Sequence, residues 1–207
     1  AVRRISTVGD VTTVSGPGAR FYYPQGIALD GAGNLYVADG TSGGSQRFRF
    51  NHTIRKITQA GVVTTLAGKA DQSGHKDGSG VGALFNTPRG IVYEPVLKAL
   101  FVTDSANVVI RKVTLAGATT TYAGSPGAGG IADGLFANAR FIDPRGITTL
   151  GDGTLIVTDT LLVQLNPNGT LGTVSEFLDT VGRLDHPVAV AYNPADESLI
   201  TVDPVFH

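Results

Sequence analysis

Apolar and polar positions alternate along this chain in short runs, each bounded by Gly, Pro, Asn or Asp. No stretch sustains an apolar period of 3.6 residues, so the pattern predicts strands rather than helices. Clear runs are Leu35 to Asp39, Leu100 to Asp104, Leu155 to Asp159 and Leu199 to Asp203. Val, Ile, Thr and aromatic residues dominate them, and these side chains suit a pleated, half-buried surface.

The runs belong to a repeat. Residues 5–16, 57–68 and 113–124 are phrases of equal length, each with Gly in fifth place (Gly9, Gly61, Gly117) and a Thr-rich run after it. A basic pair precedes each: Arg3-Arg4, Arg55-Lys56 and Arg111-Lys112. A degenerate fourth copy begins at Leu165 and turns at Gly169. A second phrase starts at Phe21, Phe85, Phe141 and Leu184, runs through Pro24, Pro88, Pro144 and Pro187, and ends in the apolar strands closed by Asp39, Asp104, Asp159 and Asp203. The prolines stand just before a strand, where a missing N–H is harmless. Each repeat therefore reads as four antiparallel strands: strand a after the proline, strand b ending in Asp, strand c with the basic pair, strand d after the glycine turn. Successive prolines are 64, 56 and 43 residues apart, a spacing expected of β-propeller blades.

Phe-x-x-Pro-x-Gly-Ile, Gly-Asn-Leu-Tyr-Val-Ala-Asp, Ile-Arg-Lys-Ile-x-x-x-Gly and Val-Thr-Thr-Leu-Ala-Gly resemble the NHL repeat, and Asp77 to Phe85 resembles the linker of many NHL arrays. The resemblance covers nearly the whole chain and is weakest in the last blade, which lacks the Asn and the basic pair. It implies an all-β fold, a β-propeller; the repeat count reads as four blades with four antiparallel strands each. The blades are expected near residues 21–68, 85–124 and 141–177, with 184–207 joined to 1–16. Residues 1–16 supply only strands c and d, and residues 184–207 only a and b. Asp203 through His207 to Val2 is the same number of steps as Asp104 to Ile110, so one blade shared between the ends would close the ring in register and cover both sheet edges. A longer array, since NHL propellers usually have six blades, or a head-to-tail oligomer satisfies the same counting.

Composition narrows the function. Hydrophobic residues are 42% and charged ones 16%, with net charge −1. That describes a globular chain without the basic excess that binds nucleic acid. No apolar run is long enough to span a bilayer. Cys is absent, which excludes disulfides and thiolate nucleophiles, and Met is absent, so we expect a processed chain or part of a longer one.

Strand parity puts the b–c and d–a connections on one face. Residues 40–51 lengthen one b–c connection, and residues 69–84 and 125–140 form long d–a linkers. Long loops on a rigid scaffold are where recognition concentrates. Candidate binding residues are Arg47, Phe48, Arg49 and Phe50 in the first with His52 directly after it, and His75, Lys76 and Asp77 in the second. Cations and rings together suit a carbohydrate, an acidic peptide or a partner domain; alternatively the two Phe anchor the loop. Asp39, Asp104, Asp159 and Asp203 are channel candidates: a carboxylate ring around the axis, or acceptors for loop N–H groups. Arg89 and Arg145 follow the strand-a prolines and are candidates to line the channel or to form ion pairs. The histidines lack metal-ligand spacing. Asn51 and Asn168 open N-x-Ser/Thr sequons and are glycosylation candidates.

The reading from sequence is a non-catalytic binding or scaffold propeller, extracellular or at the cell surface, with a protein or glycan partner, no cofactor, no metal, no nucleic acid and no membrane span. The alternatives are a metal-dependent lyase or hydrolase working at the channel, and a structural unit of a higher-order surface assembly.

Overall fold

The computed structural model describes residues 1–16, 19–40, 51–173 and 186–204. It is all-β, built from antiparallel sheets. After the hairpin β1 (Arg3–Ile5) and β2 (Val11–Thr13) comes a four-stranded sheet, β3 (Pro24–Leu29), β4 (Leu35–Asp39), β5 (Thr53–Ile57) and β6 (Val63–Gly68), in sequence order. The linker that follows is not all loop: β7 (Gly78–Ser79) pairs with the outer edge of the next sheet. That sheet holds β8 (Pro88–Glu94), β9 (Ala99–Asp104), β10 (Val109–Thr114) and β11 (Ala118–Ala123). The third repeats the plan with β12 (Gly134–Leu135) on the edge of β13 (Ile147–Thr149), β14 (Leu155–Thr158), β15 (Leu162–Leu165) and β16 (Thr170–Thr173). The extra strands cap an edge that would otherwise bare its N–H and C=O groups. The hairpin β17 (Ala189–Asn193) and β18 (Ser198–Val202) completes the order.

All four c–d turns put glycine in the left-handed region: Gly9, Gly61, Gly117 and Gly169 have φ of 92, 79, 88 and 87°. A side chain there would be strained, which explains why this glycine survives even in the degenerate fourth copy. Strands b are the least alternating because both faces are covered: every residue of β9 and β14 is buried. Their side chains join two clusters, one around Phe101, Phe141 and Leu155, the other around Tyr36, Phe85 and Val102.

The sheets pack face to face through glycine in strand a. A Cβ on Gly26 would meet the Arg89 carbonyl oxygen at 2.5 Å, and one on Gly90 the Arg145 carbonyl oxygen at 2.3 Å. Gly146 meets Ala189 in the same way, at 2.8 Å. Backbone thus touches backbone from blade to blade, and β3, β8, β13 and the segment leading into β17 line one cavity.

The two terminal hairpins form separate two-stranded sheets, and among the described residues no backbone pairing joins β18 to β1. His207, on which the in-register count depends, lies outside the described residues. Apolar side chains remain exposed on these hairpins, Ile5, Val11, Ile200 and Val202 among them, and on β3 of the first full sheet, at Ile27 and Leu29. Some of them border a groove of about 930 Å³ between the first hairpin and the first full sheet.

Candidate functional site

The chemistry of each blade starts from the aspartate that closes strand b. Asp39 and Asp104 are fully buried and Asp159 nearly so. Each accepts N–H groups from the dipeptide between Phe and Pro. Tyr22 and Tyr23 donate to Asp39 at 3.0 and 2.8 Å, Asn86 to Asp104 at 2.7 Å, and Ile142 and Asp143 to Asp159 at 2.9 and 2.5 Å. The amide of Asn51 donates to Asp39, and that of Asn107 to Asp104 at 2.8 Å. These carboxylates therefore hold the loop that starts strand a, and none of them lines the axial cavity. Asp203 is half-buried and also partnered.

The basic residue of strand c completes the lock. Arg111 is the largest fully buried side chain. It pairs with Asp104 at 3.0 Å and Asp77 at 2.7 Å, donates to the carbonyls of Leu84 and Lys76, and lies 5.1 Å from the centre of the Phe85 ring. Burial raises the Asp104 carboxyl to about 6, against the pull of Asn107, the Asn86 N–H and Arg111. The first blade has a looser version, with Arg55 4.0 Å from Asp39 and over Phe21. In the third blade Val163 takes the register position of Arg111, opposite Val157 as Arg111 is opposite Val102. Phe141 and Val163 there share the apolar core, and burial raises the Asp159 carboxyl.

The linker candidates serve the same lock. Asp77 binds Arg111 and Thr121, His75 Nε2 lies 2.8 Å from Thr121 Oγ1, and Lys76 offers its carbonyl to Arg111. His52 is buried and accepts the Thr87 N–H at Nδ1. Burial lowers the pKa of both histidines, aided at His75 by the Arg111 charge. Asn51 is 4% exposed with its amide nitrogen committed to Asp39, so the folded protein offers no glycan acceptor there. Asn168 stands in an exposed turn, its oxygen accepting from Thr170. Arg47, Phe48, Arg49 and Phe50 lie outside the described residues.

A group of charged side chains open to solvent lies at the axis. The residues after the strand-a prolines, Gln25, Arg89, Arg145 and Val188, line a cavity of about 420 Å³. Arg89 also borders a depression of about 360 Å³ beside the b–c connection at Ser105 and Ala106. The cavity and this depression thus meet at Arg89. Asp143 bridges the two cations: Arg89 Nη1 is 3.0 Å from its Oδ1, and Arg145 Nε and Nη2 are 2.7 and 2.6 Å from its Oδ2. The three side chains are 29, 38 and 34% exposed. Thr103 secures the frame by accepting the Gly90 N–H and donating to the Arg145 carbonyl, both at 2.7 Å. Sequence reading found both arginines but not Asp143. The signal was its place in the dipeptide between Phe and Pro, the part of that phrase that differs in every copy.

Antiparallel sheets packed face to face with their first strands around a common cavity define a β-propeller. Solved structures agree. The chain superposes on an auxiliary nutrient binding protein from Bacteroides thetaiotaomicron VPI-5482 with TM-score 0.64 and 14% identity, covering 94% of this chain and 48% of that one. For the nidogen/laminin complex the TM-score is 0.61 at 18% identity, over 88% and 57%. For virginiamycin B lyase from Staphylococcus aureus it is 0.59 at 17%, over 92% and 52%. The chain thus spans about half the length of these solved structures. No protein-family model and no curated protein sequence matches it. At these identities the likeness shows the fold alone.

Proposed function

We propose that this chain is a non-catalytic binding propeller that presents its loop-bearing face to a protein or glycan partner. One observation carries the reading: Asp39, Asp104 and Asp159 are spent on holding the loops in place, as are His52 and His75. These carboxylates and imidazoles thus serve the scaffold, while the same loops turn Tyr22, Tyr23 and Ile142 to solvent at 37, 47 and 45% exposure. Exposed aromatic side chains on rigid supports are effective contact groups. The NHL affiliation, the four-blade count and the blade shared by residues 184–207 and 1–16 form part of the proposal. So does a location outside the cell or on its surface, to which the exposed Asn168 sequon and the absence of Cys are suited. Binding proteins and a lyase share the fold, so the fold does not choose between them.

The test is a glycan array and an acidic-peptide array probed with the labelled chain. Two variants accompany it: one with residues 41–50 replaced by Ser-Ala, the other with Tyr22→Ala and Tyr23→Ala. Array hits should be lost at least tenfold in one or both variants while the melting temperature holds. Hits unaffected by either variant, or none at all from the wild type, would refute the proposal.

A further inference from the structure

We infer that the axial cavity is a binding site for a small monocarboxylate, free or as the terminal sugar acid of a glycan, with its carboxylate held by Arg89 and Arg145. The inference rests on the reading of this chain as a binding module and says what the axis takes.

Donor accounting comes first. A guanidinium carries five N–H donors. Arg89 spends only Nη1 on Asp143, and Arg145 spends Nε and Nη2. Among the described residues neither side chain makes another hydrogen bond, so Arg89 Nε and Nη2 and Arg145 Nη1 remain for a ligand. Both cations are anchored on one carboxylate and both line the same cavity. Paired guanidinium donors match a planar carboxylate better than a point charge would.

Charge sets the valence. Arg89 and Arg145 are the charged residues lining the cavity, and Asp143 offsets one of them. One positive charge is left, which a monoanion neutralises and a dianion overfills. Shape sets the remainder: Ile27, Ile91, Ile147 and Val190 contribute walls, Gln25 offers a neutral amide, and about 420 Å³ lies within the range of small-ligand sites. The fold itself does not demand these arginines. The next residue is Gly26, Gly90 and Gly146 in three blades, as packing requires, whereas the position before it holds Gln25, Arg89, Arg145 and Val188.

Calorimetric titration of the intact chain with D-glucuronate, a glucuronyl-terminated disaccharide, glucose and sulfate tests the site. Arg89→Gln copies the residue that the first blade carries at this place and so preserves the fold; Arg145→Gln and Asp143→Asn accompany it. Glucuronate should bind and glucose should not. Each Arg→Gln variant should weaken glucuronate at least tenfold, and Asp143→Asn should tighten it by removing a competing anion. Tighter binding of the disaccharide than of the free acid assigns the site to glycan ends, and the reverse to free acids. No binding of either acid, unchanged affinity in both Arg variants, or a preference for sulfate would overturn the inference. Loop-face array hits that persist in Arg89→Gln would then show that the axial site alone has failed. Carboxylate binding without array hits would leave the axial site standing and remove the loop-face reading.

Discussion

Gly90→Ala asks whether backbone contact between blades sets their spacing. The new methyl would stand 2.3 Å from the Arg145 carbonyl oxygen and 3.1 Å from Ile147. Ordinary contact begins about 1 Å further out, and the obstacle is backbone, which cannot swing aside as a side chain would. Blades two and three must therefore separate. That stretches the relay through Thr103, whose two hydrogen bonds are each 2.7 Å long. Overpacking costs roughly 1–3 kcal/mol and a lost buried hydrogen bond roughly 1–2 kcal/mol more, so the expected loss is about 2–5 kcal/mol. For a chain of this size that lowers the melting temperature by roughly 5–15 °C. Gly31→Ala is the matched control, since nothing lies within 4 Å of its added methyl. Urea unfolding followed by fluorescence or circular dichroism measures both. A Gly90→Ala protein within about 0.5 kcal/mol of wild type, or a control equally damaged, would refute glycine-set packing.

The buried lock yields two further predictions. Arg111→Met leaves Asp104 buried without a cation and should cost about 3–5 kcal/mol, whereas Arg55→Met, whose parent is partly exposed and 4.0 Å from Asp39, should cost under about 1 kcal/mol. Equal losses in urea unfolding would contradict the distinction. Asp104 also imposes a pH dependence. Its carboxyl rises from 3.8 to about 6 on folding, so its contribution is complete below about pH 4 and lost as pH climbs through about 6. Wild-type stability should fall more steeply than that of Asp104→Asn between pH 4 and 6, and parallel curves would disprove it.

Much of the fold was legible because each repeat must satisfy the same local demands four times. Gly61 and Gly117 mark turns that need a left-handed residue, and Pro88 and Pro144 mark starts that need no N–H. Asp104, Asn107 and Arg111 recur together as a motif because they bond one another. The linkers were read as loops because Gly78–Ser79 and Gly134–Leu135 are too short to show alternation; they became strands only once an edge was beside them.

The sequence by itself determined the all-β class and the strand order within a blade, and it marked the aspartates that end strand b, since all of these follow from short-range bonding and period. Only the tertiary structure decided what meets across blades. Asp143 faces Arg89 from a position 54 residues away, and Gly90 touches the Arg145 backbone. No local pattern encodes such contacts, because they arise from stacking one sheet on the next, and the cavity at the axis arises from the same stacking.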